Sequence, residues 1–128
     1  MRGACCLLPQ VEEMSRNIRA ISIVDKYLEH ARLYIFGNNG DEMIYTGSAD
    51  WMARNLDRRV EVCVPLYEKS IRKKVREVFD IQWHDTVKAR LLDAGKQNTY
   101  VKPAPGEMPQ RSQTVLYDYY GGHSHYKE

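Results

Sequence analysis

Phenylalanine and cysteine are scarce in this chain: two Phe and three Cys among 128 residues. Three is an odd count, and Cys5 and Cys6 are neighbours, whose side chains in an extended strand point to opposite faces. That excludes a disulfide framework and points to a reducing compartment, the cytoplasm. No Cys/His spacing has the form of a zinc site. No apolar run approaches the roughly 20 residues that a membrane helix requires. The N-terminal run Ala4–Leu8 is stopped by Pro9 and is too brief for a secretory signal. An excess of charge is also missing: 19 Lys and Arg face 17 Asp and Glu, a net +2. That excludes a protein that binds nucleic acid or membrane over its whole surface, so any anion site must come from local clustering.

What is present is a globular composition, 43% hydrophobic and 28% charged. The length fits one domain or a piece of a larger protein. A strand-like run starts directly after Met1 without polar slack, and the expectation is that the chain begins inside a longer polypeptide.

Residues 2–8 read as a buried strand ended by Pro9, and 10–16 as a polar connection. Ser22–Glu29 reads as a short helix, with Ser22 as N-cap, Asp25 three residues on, and Ile23, Tyr27 and Leu28 on one face. Residues 32–36 and 42–46 read as strands joined by the hairpin signal Gly37–Asn38–Asn39–Gly40–Asp41. A turn at 47–51 and a strand over 59–65 follow. Glu68–Gln82 is amphipathic, with Ile71, Val75, Val78 and Phe79 at helical spacing. Asp85–Ala94 reads as another helix, capped by Asp85 and stopped by Gly95. Lys96–Arg111 is irregular. Ser112–Tyr120 reads as a last helix capped by Ser112 and stopped by Gly121 and Gly122, and His123–Glu128 as a frayed tail. The expected order is strand, helix, two strands, strand, helix, helix: an α/β fold with a mixed sheet flanked by helices.

Basic residues gather at Arg2, at His30 and Arg32, and at Arg54, Arg58 and Arg59. Strand ends in α/β folds converge on one edge, and forked guanidinium groups suit phosphate oxygens. Arg2, His30, Arg32 and part of the 54–59 group could form such an edge. From spacing alone the better reading is plainer: solvated arginines, or pairs with Asp50, Asp57 and Glu61. Arg58 or Arg59 is expected to pair with Asp50 or Asp57. His30 follows one element and precedes the hairpin, where functional groups tend to lie. His84 reads as the start of the second long helix, and His123 and His125 as tail residues. Trp51 and Trp83 read as core or lid residues. Arg72–Lys73–Lys74, with Glu68, Glu77 and Asp80 nearby, reads as a solvated face of mixed sign rather than a nucleic-acid patch.

Three stretches carry a more specific signal: RGACCL at 2–7, NIRAISIVDKYLEHARLY at 17–34 and SADWMARNLDRRVEV at 48–62, with RSQTVLYDYY at 111–120 behind them. Together they closely resemble the C-terminal domain of bacterial long-chain polyphosphate kinase. That family is similar in fold to the phospholipase D superfamily, in which two α/β halves each give one histidine to a shared site. The superfamily pattern is His-x-Lys, an Asp, then Gly-Ser-x-Asn. Here stand His30-x-Arg32 and Gly47–Ser48–Ala49–Asp50, with Gly37 at the Asp position. These departures count against phosphodiester hydrolysis.

The resemblance implies reversible transfer of the terminal phosphate of ATP to inorganic polyphosphate, through a phosphohistidine in a preceding domain. It implies His30 as the catalytic residue on this side, with Arg2 and His30 contacting ATP or ADP. Magnesium would be ligated mainly outside this chain. Its partners would be the remaining domains of one polypeptide, homo-oligomeric at full length and cytoplasmic or membrane-associated, without nucleic acid. Residues 1–95 would be the phospholipase D-like catalytic domain, and 96–128 its polar linker, short helix and tail. The isolated chain, lacking the nucleophile, is expected not to synthesise polyphosphate. Two alternatives stay open: a phosphodiesterase half-site acting as a dimer, and a non-catalytic polyanion-binding module. Arg32, Arg54, Arg58 and Arg59 could line the site or brace the fold.

Overall fold

The computed structural model describes residues 7–95 and 97–121. The strand expected at 2–8 falls mostly outside that range; Leu7 and Leu8 within it are exposed and lie in no strand. The tail at 123–128 is also outside. The chain divides into two compact units, Glu29–Glu77 and a second formed by Met1–Leu28 with Val78–Glu128. The α/β class holds. Among the described residues the strands form two antiparallel sheets, one of three strands and one of two.

The unit Glu29–Glu77 is built on a hairpin. Strands β2 (Leu33–Phe36) and β3 (Met43–Gly47) pair antiparallel, Leu33 opposite Thr46 and Phe36 opposite Met43. Their connection is a short 3-10 turn over Asn38–Gly40. Asn38, Asn39 and Gly40 all have positive φ, which asparagine and glycine tolerate best. Strand β4 (Cys63–Pro65) adds to the other side of β3, which places Ile44, 1% exposed, at the centre of this sheet. Between β3 and β4 lies a helix that the periodicity did not reveal, α1 (Ala53–Arg58). Ala, Leu and Arg favour helix, but six residues are too few to show a repeat. The strand expected over 59–65 is correspondingly short. Helix α2 (Lys69–Trp83) follows as expected, its first turn satisfied by the Glu68 carboxylate, which accepts from the backbone of Ser70 and Ile71.

In the other unit two expected helices are corrected. Ser22 lies in strand β1 (Ala20–Ile23), and the residues that follow form no helix. Asp85–Ala94 contains strand β5 (Ala89–Leu92) instead. The two pair antiparallel, Ala20 opposite Leu92 and Ile23 opposite Ala89, and Ala20, Ile21 and Ala89 are buried there. Branched Ile21 and Ile23 fit a pleated surface better than a helix. Asp85 does cap, as its residue type suggested, but it caps other things. Its buried Oδ1 accepts from the backbone N–H of Val87, Lys88 and Ala89 at 2.9, 2.6 and 2.9 Å. Its Oδ2 accepts from Ser112 N at 2.7 Å. The start of α3 (Ser112–Tyr119) is therefore served by Asp85, not by the Ser112 side chain. Gly121, at φ 83°, ends that helix. Asp25 takes a bidentate pair from Arg111, at 2.8 and 2.5 Å, and accepts from the backbone N–H of Lys26 at 2.7 Å, with no helix behind it. No described helix is long and apolar enough to cross a membrane.

Candidate active site

The hairpin brings together two sequence pieces that are more than a dozen residues apart. Gly47 N donates to Arg32 O at 3.0 Å, so the start of β2 lies beside the end of β3. His30-x-Arg32 and Gly47–Ser48–Ala49–Asp50 thus share one end of one sheet. Gly47 leaves little room for a side chain at this point. A Cβ there would sit 3.1 Å from Cε2 of Tyr34 and 3.3 Å from the carbonyl oxygen of Val62.

Arg32 Nε donates to Asp50 Oδ1 at 2.9 Å, and its Nη1 to the His30 carbonyl oxygen at 3.3 Å. The hydrogen bond from Arg32 holds the Asp50 carboxyl below its usual value against the opposing effect of desolvation, and the charges of Arg32, Arg54 and His30 add to it. The same bond raises the Arg32 guanidinium. Asp50 therefore pairs with Arg32, and not with Arg58 or Arg59 as expected. His30 itself is exposed. Its imidazole stands at the solvent edge of a fixed ion pair, within electrostatic reach of Asp50.

A second network fixes the Gly47–Asp50 loop. Ser48 Oγ donates to Glu61 Oε2, and Asn55 Nδ2 donates to Glu61 Oε1 at 2.7 Å. Ser48 Oγ also accepts from Val62 N at 3.1 Å. Asn55 is buried, and Arg54 Nε donates to its Oδ1 at 3.3 Å. These bonds, Ser48 first and Asn55 second, lower the Glu61 carboxyl against desolvation, helped by the charges of Arg59 and Arg32. Sequence reading offered Glu61 only as an arginine partner. Its role as the clamp between α1 and the Gly-Ser turn depends on a helix whose sequence is too short to announce itself. Trp51 covers Tyr34, the rings stacked at 6.0 Å and the indole N–H 3.2 Å from the Tyr34 hydroxyl oxygen. It is 79% exposed, so it forms an outer flap and is not a core residue.

Arg2 lies outside the described residues. His84 ends α2, where Nδ1 approaches the Asp80 carbonyl oxygen at 2.7 Å; it does not begin another helix. Among the described residues no three His, Cys, Asp or Glu side chains gather in a way that could hold a metal. The arrangement on hand is an exposed imidazole backed by a guanidinium–carboxylate pair, with Arg54 and Arg59 electrostatically close. Such a wall suits an anion that must be positioned and neutralised.

Comparison with known proteins gives this arrangement a context. The family model described as polyphosphate kinase C-terminal domain 2 matches residues 1–113. Polyphosphate kinase of Escherichia coli K12 is 50% identical over 119 residues, which is 93% of this chain and 17% of that protein. Polyphosphate kinase of Klebsiella pneumoniae is 49% identical over the same length and shares. The crystal structure of polyphosphate kinase from Porphyromonas gingivalis superposes with a TM-score of 0.87 at 40% identity, covering 94% of this chain and 18% of that one. The chain spans about 17% of the length of the curated relatives it matches.

Proposed function

This chain belongs to the polyphosphate kinase C-terminal domain 2 family, and from that membership we propose that it forms one wall of a phosphotransferase site whose nucleophile lies elsewhere in a longer polypeptide. The reaction is reversible transfer of the terminal phosphate between ATP and inorganic polyphosphate. In the first step a histidine nitrogen of the preceding domain bonds to the γ-phosphorus. The bond from that phosphorus to the bridging oxygen breaks, and ADP leaves with the electron pair. In the second step a terminal oxygen of polyphosphate attacks the same phosphorus and the nitrogen–phosphorus bond breaks. Nucleophilic histidine in this way splits one transfer into two.

The part of this chain is electrostatic and positional, which is most of what phosphoryl transfer needs. His30 stabilises charge on the transferring phosphate or protonates the leaving oxygen, being the residue type that titrates near neutrality. Arg2 contacts the nucleotide phosphates. Arg32 holds the backbone of His30 while its charge is met by Asp50. The same pair argues against the phosphodiesterase alternative, because the Lys and Asn positions of the hydrolase pattern are filled here by two groups that neutralise each other. The described side chains do not by themselves form a cage for magnesium. Residues 1–95 make up the catalytic part of the domain and 96–128 its extension; the full polypeptide is a cytoplasmic or membrane-associated homo-oligomer.

The observation that carries this reading is the exposure of His30 beside the fixed Arg32–Asp50 pair. The test is polyphosphate-dependent formation of ATP from ADP by a full-length polypeptide carrying this chain. His30→Ala lowers that rate by about 10²- to 10⁴-fold. The purified 128-residue chain alone gives no turnover. Turnover by that chain, or an unchanged rate in the variant, overturns the reading.

A further inference from the structure

Glu42 immediately precedes β3 and Gly47 ends it, so these two residues stand on the order of 15 Å apart along the strand. At the Glu42 end is an open pocket of about 520 Å³ lined by Glu42, Lys69, Arg72, Lys73, Arg76 and Glu77. Positions 69, 72, 73 and 76 have the spacing of a single helix face, which extends about 10 Å along α2. Glu42 braces two of these cations: its backbone oxygen accepts from Arg72, and its carboxylate pairs with Arg76 at 2.6 Å. Lys73 lies 3.9 Å from Glu77, a loose contact of an exposed side chain. Lys69 makes no ion pair with a described residue. Glu68, counted from sequence as balancing this face, is committed to the helix start through Ser70 and Ile71. Four cations thus face two carboxylates in one concave surface, and two of the four are held in place.

We infer that this groove binds inorganic polyphosphate as a second contact, apart from the wall around His30. Its lining contains no aromatic side chain. Grooves for single-stranded nucleic acid pair their positive charge with rings on which bases stack. A surface offering charge alone fits a linear chain of phosphates that carries no base. The separation of on the order of 15 Å along β3 between the groove end and the Gly47 end is one that a long chain spans more readily than a short one, so the groove favours length. The identity of the polyanion rests on the functional reading above; the existence of an anion groove does not.

The test is titration of the full 128-residue chain with long-chain polyphosphate, with inorganic tripolyphosphate and a single-stranded oligonucleotide as the other probes. The variant is Lys69→Gln/Lys73→Gln, because Arg72 and Arg76 also brace Glu42 and their removal would disturb the fold. Long-chain affinity falls about tenfold, and the slope of log affinity against log salt becomes shallower by about one to two. Tripolyphosphate, which cannot reach beyond the groove, loses less than the long chain does. His30→Ala leaves the lysine effect in place. Long-chain binding that is equal in the double variant and the parent overturns the groove and leaves the phosphotransferase reading standing. Equal loss for tripolyphosphate overturns the length preference, oligonucleotide binding as tight as polyphosphate overturns the ligand assignment, and a parent chain that binds no polyphosphate overturns both.

Discussion

Asp85 and Asp50 are both aspartates with lowered carboxyl values, and they sit in opposite surroundings. Asp85 is fully buried and receives four backbone N–H groups, three at the entry to β5 and one at the entry to α3. Burial alone would raise its value; the N–H groups, led by those of Ser112 and Lys88, outweigh that cost. The side chain of Asp50 is 41% exposed and meets one side chain, Arg32, at the open end of a sheet. An acid satisfied by backbone amides in the dry interior is part of the scaffold. An acid that steers an arginine at a solvent-facing edge leaves that arginine's surroundings open to solvent. The direction of a pKa shift does not separate the two, whereas burial and partner type do.

The strongest way to break this contrast is to remove Asp85. Asp85→Ala strands four donors, two of them buried, and costs about 3 kcal/mol or more, a large share of a domain's stability. Urea unfolding of the full chain reads it, and a midpoint near that of the parent would place Asp85 outside the scaffold. Acid comes next. Asp85 and Asp25 both titrate below their ordinary value of 3.8 in the folded chain, Asp25 because Arg111 bonds to it. The unfolded chain therefore takes up protons first. Their stabilisation is present above that ordinary value and is lost as pH falls through the lowered folded values. Unfolding midpoints measured from neutrality to about pH 3 decline accordingly, and Asp85→Asn flattens the decline. Asp50→Asn has the smallest effect on stability. It leaves the urea midpoint close to the parent's, yet lowers ATP formation by the full-length polypeptide by on the order of tenfold, because Arg32 loses the partner that orients it. A large midpoint loss with unchanged turnover would make Asp50 another Asp85.

The two halves of the chain also differ in how far sequence could reach. The hairpin around Asn38–Gly40 and the helix at 69–83 were legible because their signals are local: turn residues in one case, an apolar stripe at helical spacing in the other. The candidate pattern, His30-x-Arg32 followed by Gly47–Ser48, was visible in the sequence, and folding brings its two parts to one end of a sheet. The segments read as helices from 22 and from 85 contain strands β1 and β5 instead; Ser22 lies within its strand and caps nothing, whereas Asp85 does bind backbone amides. Asp85 binds the next three available amides just as a helix cap would, and only the pairing of Ala89–Leu92 with a strand nearly seventy residues earlier turns the chain into sheet.

Local order along the chain dictated the turn and the long helix, since those depend on neighbours a few positions apart. Which acid would serve the interior and which the open edge was settled by folding alone. Burial, and the meeting of Asp50 with Arg32 or of Asp85 with Ser112, come into being only when distant segments are packed together.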